Sequence, residues 1–414
     1  MAAKAETPAV GGSSGPGESS DPTSPMLETV ARLFPGAEVS RSRGPSDGGF
    51  ELAFFPSARW PNAVVPVGCP RAAARSVRRF SVADGPRPTL ARLASAGALR
   101  VGIGAVRDRV VVRGGDDSVL DHLARVFGER VTVSIAIGTA RANRKPVLQV
   151  FDDAGRTLGF AKVGVDATSR HHVGLEARNL ALLEGRVPGG MSVPAVVDAS
   201  TWADHLVLVM TAFSTRPQQP NARRVVPDRL MGEFSRAFGS ERRELVGTPF
   251  WADLSLASTR LPPGDVARRV GSARAAVEER YGRLPVRTGA WHGDWTPWNM
   301  AWAGGTLQVW DFERFDRAGL VGLDALHYVV NERTQRLGPS ARVVLDAVQD
   351  AGGGADGDAP TEVLAACYLA SVAVRYLEGA AGDRTSGAHR RAELVTEALE
   401  EILDRPAPGG SRAT

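Results

Sequence analysis

Trp291-His292-Gly293-Asp294-Trp295-Thr296-Pro297-Trp298-Asn299, joined after a short gap by Val309-Trp310-Asp311-Phe312-Glu313, is the stretch whose reading decides the fold. Gly293 and Pro297 break regular structure, so the first half is a loop that presents a histidine, an aspartate and an asparagine together. The second half reads as a short strand, Leu307 to Trp310, ending in an acidic residue. Two aspartates and an asparagine placed this way offer hard oxygen ligands of the kind magnesium takes alongside substrate phosphates. An aspartate left off the metal can accept a proton from an attacking hydroxyl. His292 suits a bonding role that fixes the loop. His292 and His327 have no third His or Cys at zinc spacing, which speaks against a zinc site. The bland reading is a capping aspartate and a turn asparagine, common singly in loops. Against it stands the strict order of His-Gly-Asp, four residues, Asn, and an Asp-Phe-Glu beginning twelve residues later.

At these residues the chain resembles the aminoglycoside phosphotransferase and choline kinase family, relatives of the protein kinases. The match runs through His292, Gly293, Asp294, Asn299, Asp311, Phe312 and Glu313. The resemblance implies a two-lobed, protein-kinase-like α+β fold, with a β-rich small lobe and a helical large lobe. It also implies ATP and Mg2+ as cofactors and transfer of the γ-phosphoryl group to a hydroxyl of a small molecule. By carry-over Asp294 is the catalytic aspartate, and Asn299 and Asp311 hold the metal. Trp295 and Trp298 replace the small or aliphatic residues common in the family and would reshape the acceptor pocket.

Upstream, Arg130 to Ile137, Pro146 to Phe151 and Thr157 to Val165 read as three strands of an antiparallel meander, with a helix over about Val173 to Glu184. Lys162 lies on the third strand, where a kinase-like lobe carries the lysine for the α- and β-phosphates. Only three of the 50 basic residues are lysines, Lys4, Lys145 and Lys162, so a surviving lysine is a candidate for work arginine cannot do. Glu176 shares a helix stripe with Leu180 and Leu183, and a carboxylate there needs a partner, for which Lys162 is available. Gly138 opens the turn between the first two strands, where a phosphate-covering loop would lie, although that turn has few glycines. Leu208 to Phe213 takes the place of the strand linking the lobes, so backbone near Met210 and Ala212 would meet adenine. Asp324, at a helix start, reads as a dipole-stabilised structural carboxylate.

Working outward, residues 1–25 and 406–414 are poor in bulky apolar side chains and read as disordered tails. Residues 26–128 read as an N-terminal α/β region without a chemical motif, 129–212 as the small lobe and 213–405 as the helical large lobe. Val266, Val270, Ala273, Val277 and Tyr281 form one helical stripe, and Leu394 to Leu403 another. Val363 to Val374 falls short of the ~18 residues of a bilayer span and reads as a buried helix. With two cysteines, no secretory leader and a net charge of +4, a cytoplasmic protein is expected. The scattered arginines form no basic arm, so a nucleic-acid or membrane partner is not expected. Arg216, Arg223, Arg224 and Arg229 argue against a polycationic acceptor. The rival reading is a catalytically silent kinase relative acting as a nucleotide-binding regulator or scaffold. The presence together of Lys162, Asp294, Asn299 and Asp311 weighs against it.

Overall fold

Strand β5 (Thr132–Ile137), β6 (Pro146–Phe151) and β7 (Thr157–Gly164) form the expected antiparallel meander. They were located in a computed structural model, which describes residues 21–46, 48–80, 97, 108–137, 145–213, 227–351 and 359–405. Before them lie helix α1 (Ser24–Leu33), β1 (Glu38–Ser42), β2 (Phe50–Ser57), β3 (Trp60–Pro66), α2 (Pro70–Phe80), β4 (Arg109–Arg113) and α3 (Val119–Phe127). After them come α4 (Ala167–Leu183), β8 (Met191–Ser192), β9 (Val196–Trp202) and β10 (His205–Thr211). Among the described residues nine strands form one sheet in the order β1-β4-β2-β3-β5-β6-β7-β10-β9.

The small lobe therefore does not stop at residue 129, as the sequence reading expected. β3 pairs antiparallel with β5 through Ala63↔Ala136 and Val64↔Ile135, which joins β1, β2, β3 and β4 to the same sheet. The core is shared as well. Leu52, Val64, Val110 and Leu123 pack in one cluster with Ile135, Leu148, Val150 and Val163. The alternation of β5 and β6 puts one set of side chains on this face, β2, β3 and β4 extend it, and Met26, Val30 and Leu33 of α1 with Val119 and Leu123 of α3 belong to the same cluster.

The C-terminal part of the stretch expected as a tail over 1–25 is instead ordered structure. Residues 1–20 and 406–414 lie outside the described residues, but Thr23 is buried and α1 begins at Ser24 with Pro25 in its first turn. Met26, Val30 and Leu33 then form a buried stripe at helical spacing, and burial of that stripe holds the helix start.

The large lobe begins with α5 (Asp228–Arg236), β11 (Glu241–Glu244), α6 (Pro249–Thr259), α7 (Asp265–Tyr281) and β12 (Pro285–Trp291). It continues with β13 (Met300–Ala303), β14 (Thr306–Val309), β15 (Asp316–Leu320), α8 (Leu323–Leu337), α9 (Ala341–Asp350), α10 (Thr361–Ala380) and α11 (Gly387–Leu403). The five residues of the stripe expected on α7 are its buried residues. α10 is long and apolar enough to cross a membrane by length and composition, yet most of it is buried against α7, α11 and their neighbours. It is a core helix, as expected for Val363 to Val374. The lobe is less purely helical than expected, because β11-β12-β15 and β13-β14-β8 add two small sheets. A five-stranded antiparallel run, a helix packed on it and a helical second lobe make this a protein-kinase-like α+β fold.

Candidate active site

Strands of the two small sheets set the site. β12 ends at Trp291 and hands the chain to His292, and β13 with β14 forms the hairpin that separates Asn299 from Asp311. The hairpin pairs Met300 with Val309, and the Trp310 N–H donates to the Asn299 carbonyl at 3.0 Å. The twelve-residue gap in the motif is therefore the length of one hairpin, and its two ends return to the same place. Gly293 is required by its surroundings, with φ of +77° and space for a Cβ only 2.5 Å from the Arg314 carbonyl oxygen. Asp311 also takes a left-handed conformation, φ 72°, which costs a non-glycine residue about 1 kcal/mol and turns its carboxylate out of the strand line.

Asp294 is held from three sides. Asn299 donates through Nδ2 to the Asp294 carbonyl at 2.9 Å and to its Oδ2 at 3.0 Å. His327 Nε2 lies 3.0 Å from Asp294 Oδ1, and its Nδ1 lies 3.2 Å from the Tyr368 hydroxyl. An ionised carboxylate only accepts, so the His327 proton sits on Nε2 and Nδ1 accepts from Tyr368. Burial works to raise the Asp294 carboxyl, but the His327 hydrogen bond and the Arg375 guanidinium hold it below the usual aspartate value. Asp294 is accordingly ionised at neutral pH, and with its side chain one-third exposed it can meet a reactant.

The loop backbone is fastened separately. Asp324, at the start of α8, accepts the His292 N–H at 2.7 Å and the Gly293 N–H at 3.1 Å. Arg375 donates to the Gly293 carbonyl at 2.6 Å. His292 reaches the Trp310 carbonyl with Nε2 at 3.0 Å and accepts the Asp294 N–H on Nδ1 at 3.2 Å. Burial lowers the His292 imidazole to about 4, so it is a neutral joint between loop and hairpin. Burial raises the Asp324 carboxyl to about 7, against the pull of the two N–H groups. Asp324 thus does more than complement a helix dipole.

The lysines and carboxylates gather a few residues away. Lys162 Nζ is 2.5 and 2.6 Å from the two carboxylate oxygens of Glu176 and 2.7 Å from Asp311 Oδ1. β7 delivers the lysine opposite Leu208 of β10, and α4 delivers the glutamate from its buried face. Lys145, just before β6, bonds Glu313, lies 3.4 Å from Asp311 Oδ1 and lies 3.8 Å from Glu176 Oε2. Burial opposes its charge, yet Asp311, Glu176 and Glu313 hold the ammonium well above the ordinary lysine value. Asp311 is likewise held far below the carboxylate range by Lys162 and Lys145, despite its burial. Ligand oxygens of Glu176, Asp311 and Glu313 lie within 4.8 Å of one another.

The structure thus brings Lys162, Glu176 and Asp311 together, and Asp294, Asn299 and His292 together, with the β13–β14 hairpin joining the two groups. Met210 is buried and its backbone sits in the ladder opposite Phe160 and Val196. Ala212 is the first residue past both ladders. Gly138 lies outside the described residues, as do Arg216, Arg223 and Arg224. Arg229 is exposed and paired with Glu233 at 2.5 Å. Trp295 does not shape an acceptor pocket: it is fully buried, edge-on to Phe234 at 5.6 Å between ring centroids. Trp298 is half-buried. Sequence reasoning missed Lys145, Tyr368, Arg375 and the bond from His327 to Asp294. For Lys145 the signal existed, since lysine is so scarce; for the other three, no local pattern links distant helices to the loop.

No protein-family model matches the chain, and no curated protein matches it either. Similar solved structures include a thermostable mutant of aminoglycoside phosphotransferase APH(4)-Ia, at 12% identity and TM-score 0.47, covering 68% of this chain and 99% of that one. A choline/ethanolamine kinase family protein from Mesorhizobium loti shows 16% identity and TM-score 0.35, covering 63% and 86%. The gentamicin complex of APH(2")-IIa shows 13% identity and TM-score 0.39, covering 71% and 97%. All three TM-scores lie below 0.5, and the functional reading rests on the site's own geometry.

Proposed function

We propose that the chain is a phosphotransferase that moves the γ-phosphoryl group of magnesium-ATP to a hydroxyl of a small molecule. The observation that carries this reading is Lys162, whose ammonium bonds Glu176 and Asp311 at once, beside an ionised Asp294 fixed by Asn299 and His327. A lysine oriented by a helix carboxylate is how a kinase-like lobe presents a charge to the α- and β-phosphates. The donor set fits magnesium, being all oxygen and closely spaced at Asp311 and Glu313. Asn299 fits too, because its Nδ2 is spent on Asp294 and its carbonyl oxygen remains the donor. Bound magnesium would neutralise charge on the transferring phosphates.

The chain's own residues supply the rest. Asp294 takes the proton of the attacking hydroxyl on its partly exposed carboxylate, and the hydroxyl oxygen is then the nucleophile. Asn299 and His327 hold that carboxylate in one orientation, and Asp324 and Arg375 hold the backbone beneath it. Lys162 binds phosphate oxygens and Glu176 keeps it aimed. Backbone at Ala212, where the β10 ladders end, is the place for adenine. The acceptor is a small alcohol; of the four arginines that argue against a polycation, Arg229 pairs with Glu233, and the other three lie outside the described residues. Incubation with γ-labelled ATP and a panel of sugars, amino alcohols and aminoglycosides tests the proposal. Label should pass to at least one hydroxyl compound, and Asp294→Asn should slow the transfer about 10²- to 10⁴-fold. Label that never leaves ATP, in a folded protein across such a panel, would speak for the silent regulator.

A further inference from the structure

Of the chain's three lysines, the two within the described residues meet on one set of carboxylates. Lys162 is absorbed by the reading above, but Lys145 is not. It sits at the entry to β6, next to the connection from β5, and only 14% of its side chain is exposed. Its ammonium bonds Glu313 and stands 3.4 Å from Asp311, the same two residues whose oxygens suit a divalent cation. Three carboxylates, Glu176, Asp311 and Glu313, thus share two ammonium groups. In a chain that uses arginine nearly everywhere, the choice of lysine here is informative. A planar guanidinium keeps a fixed fork of donors, whereas an ammonium on a four-carbon stem is a compact charge that can turn from one oxygen to another.

A divalent cation at Asp311 and Glu313 sets like charge beside the Lys145 ammonium and competes with it for the same two carboxylates. The phosphates that arrive with it are the nearest new partners for the released charge. We infer that Lys145 is a second nucleotide-binding lysine that exchanges partners, giving up Glu313 and Asp311 to the divalent cation and moving to the nucleotide's phosphate oxygens. This rests on the magnesium-ATP reading of the site. It assigns Lys145 two opposite effects: it competes with a cation alone and it supports the cation bound with nucleotide.

Calorimetric titrations separate these effects, with Mn2+ alone and with ATP in the presence of Mg2+, on the full chain and on Lys145→Gln. Removing the competitor should tighten binding of Mn2+ alone. Losing a charge-assisted bond to phosphate should weaken Mg-ATP roughly ten- to a hundredfold. Misfolding weakens both, so two shifts of opposite sign cannot arise from it, and a melting curve of the variant checks this directly. Any result other than the two opposite shifts overturns the exchange. Lys162→Met run in parallel distinguishes the level of failure. If Lys162→Met loses Mg-ATP while Lys145→Gln does not, only the role of Lys145 falls. If the unaltered chain binds no Mg-ATP, the nucleotide reading falls and this inference with it.

Discussion

Residues before Glu129 carry no part of the chemistry above, yet the small lobe should not survive without them. Val133, Ile135, Leu148, Val150, Val163, Val207 and Val209 are all fully buried, in one cluster with Met26, Leu33, Leu52, Val64, Val110 and Leu123. Burying such a side chain is worth about 1.5–3 kcal/mol, so full re-exposure of seven would cost roughly 10–20 kcal/mol as an upper bound. Even one-third of that approaches the ~5–15 kcal/mol of an ordinary domain's net stability. Loss of β3 would also bare the edge of β5, a ready template for aggregation. A chain beginning at Glu129 should therefore be insoluble, or soluble without a cooperative melt. Leu52→Ala in the full chain gives the graded version, with a loss of about 2–5 kcal/mol in denaturant unfolding. Size-exclusion chromatography and scanning calorimetry read both. A monomeric truncated protein with the full chain's melting temperature would refute the shared-core argument.

Lys162→Met should lose Mg-ATP affinity and turnover while remaining folded, because Lys145 stays within 3.8 Å of Glu176 and keeps that buried carboxylate from being stranded; circular dichroism beside steady-state assays checks this. Asp294→Asn should lose about 10²- to 10⁴-fold in rate with Mg-ATP affinity near that of the unaltered chain, measured by single turnover and calorimetry. His327→Leu removes the bond that holds Asp294 low, so burial then acts unopposed by it and the Asp294 carboxyl rises. The base works only when ionised, so the acid limb of kcat/KM should move to higher pH in that variant; an unmoved limb would mean that His327 does not tune Asp294.

The parts of the site that were legible in the sequence are those set by short-range pattern. The His-Gly-Asp loop, the hairpin gap and the Asp-Phe-Glu turn are local, and the α7 stripe repeats at the helical period with every member buried. Glu176 was legible because a carboxylate on the buried helix stripe of Leu180 and Leu183 demands a partner, and one lysine was at hand. What escaped depends on contacts between distant segments. Tyr368, on α10, reaches His327, on α8, and only the packing of those helices brings the pair to Asp294. β1 escaped for a different reason: Glu-Val-Ser-Arg-Ser has little apolar content, because it is an edge strand with no fully buried residue. The division at residue 129 failed because a pairing as short as β3 with β5 leaves no mark in either strand, although it merges two segments into one sheet. Trp295 looked like a pocket residue because it stands beside the motif, and its ring in fact fills the core behind the loop.

The central claim is that this site binds magnesium-ATP through Asp311. Calorimetric titration of ATP into the full chain, with magnesium and with a chelator, tests it most directly when run beside Asp311→Asn. The account predicts saturable binding that needs magnesium, and a loss of about tenfold or more in Asp311→Asn that added magnesium partly restores. A folded chain that binds no ATP, or that binds it equally well with the chelator and in Asp311→Asn, would contradict it.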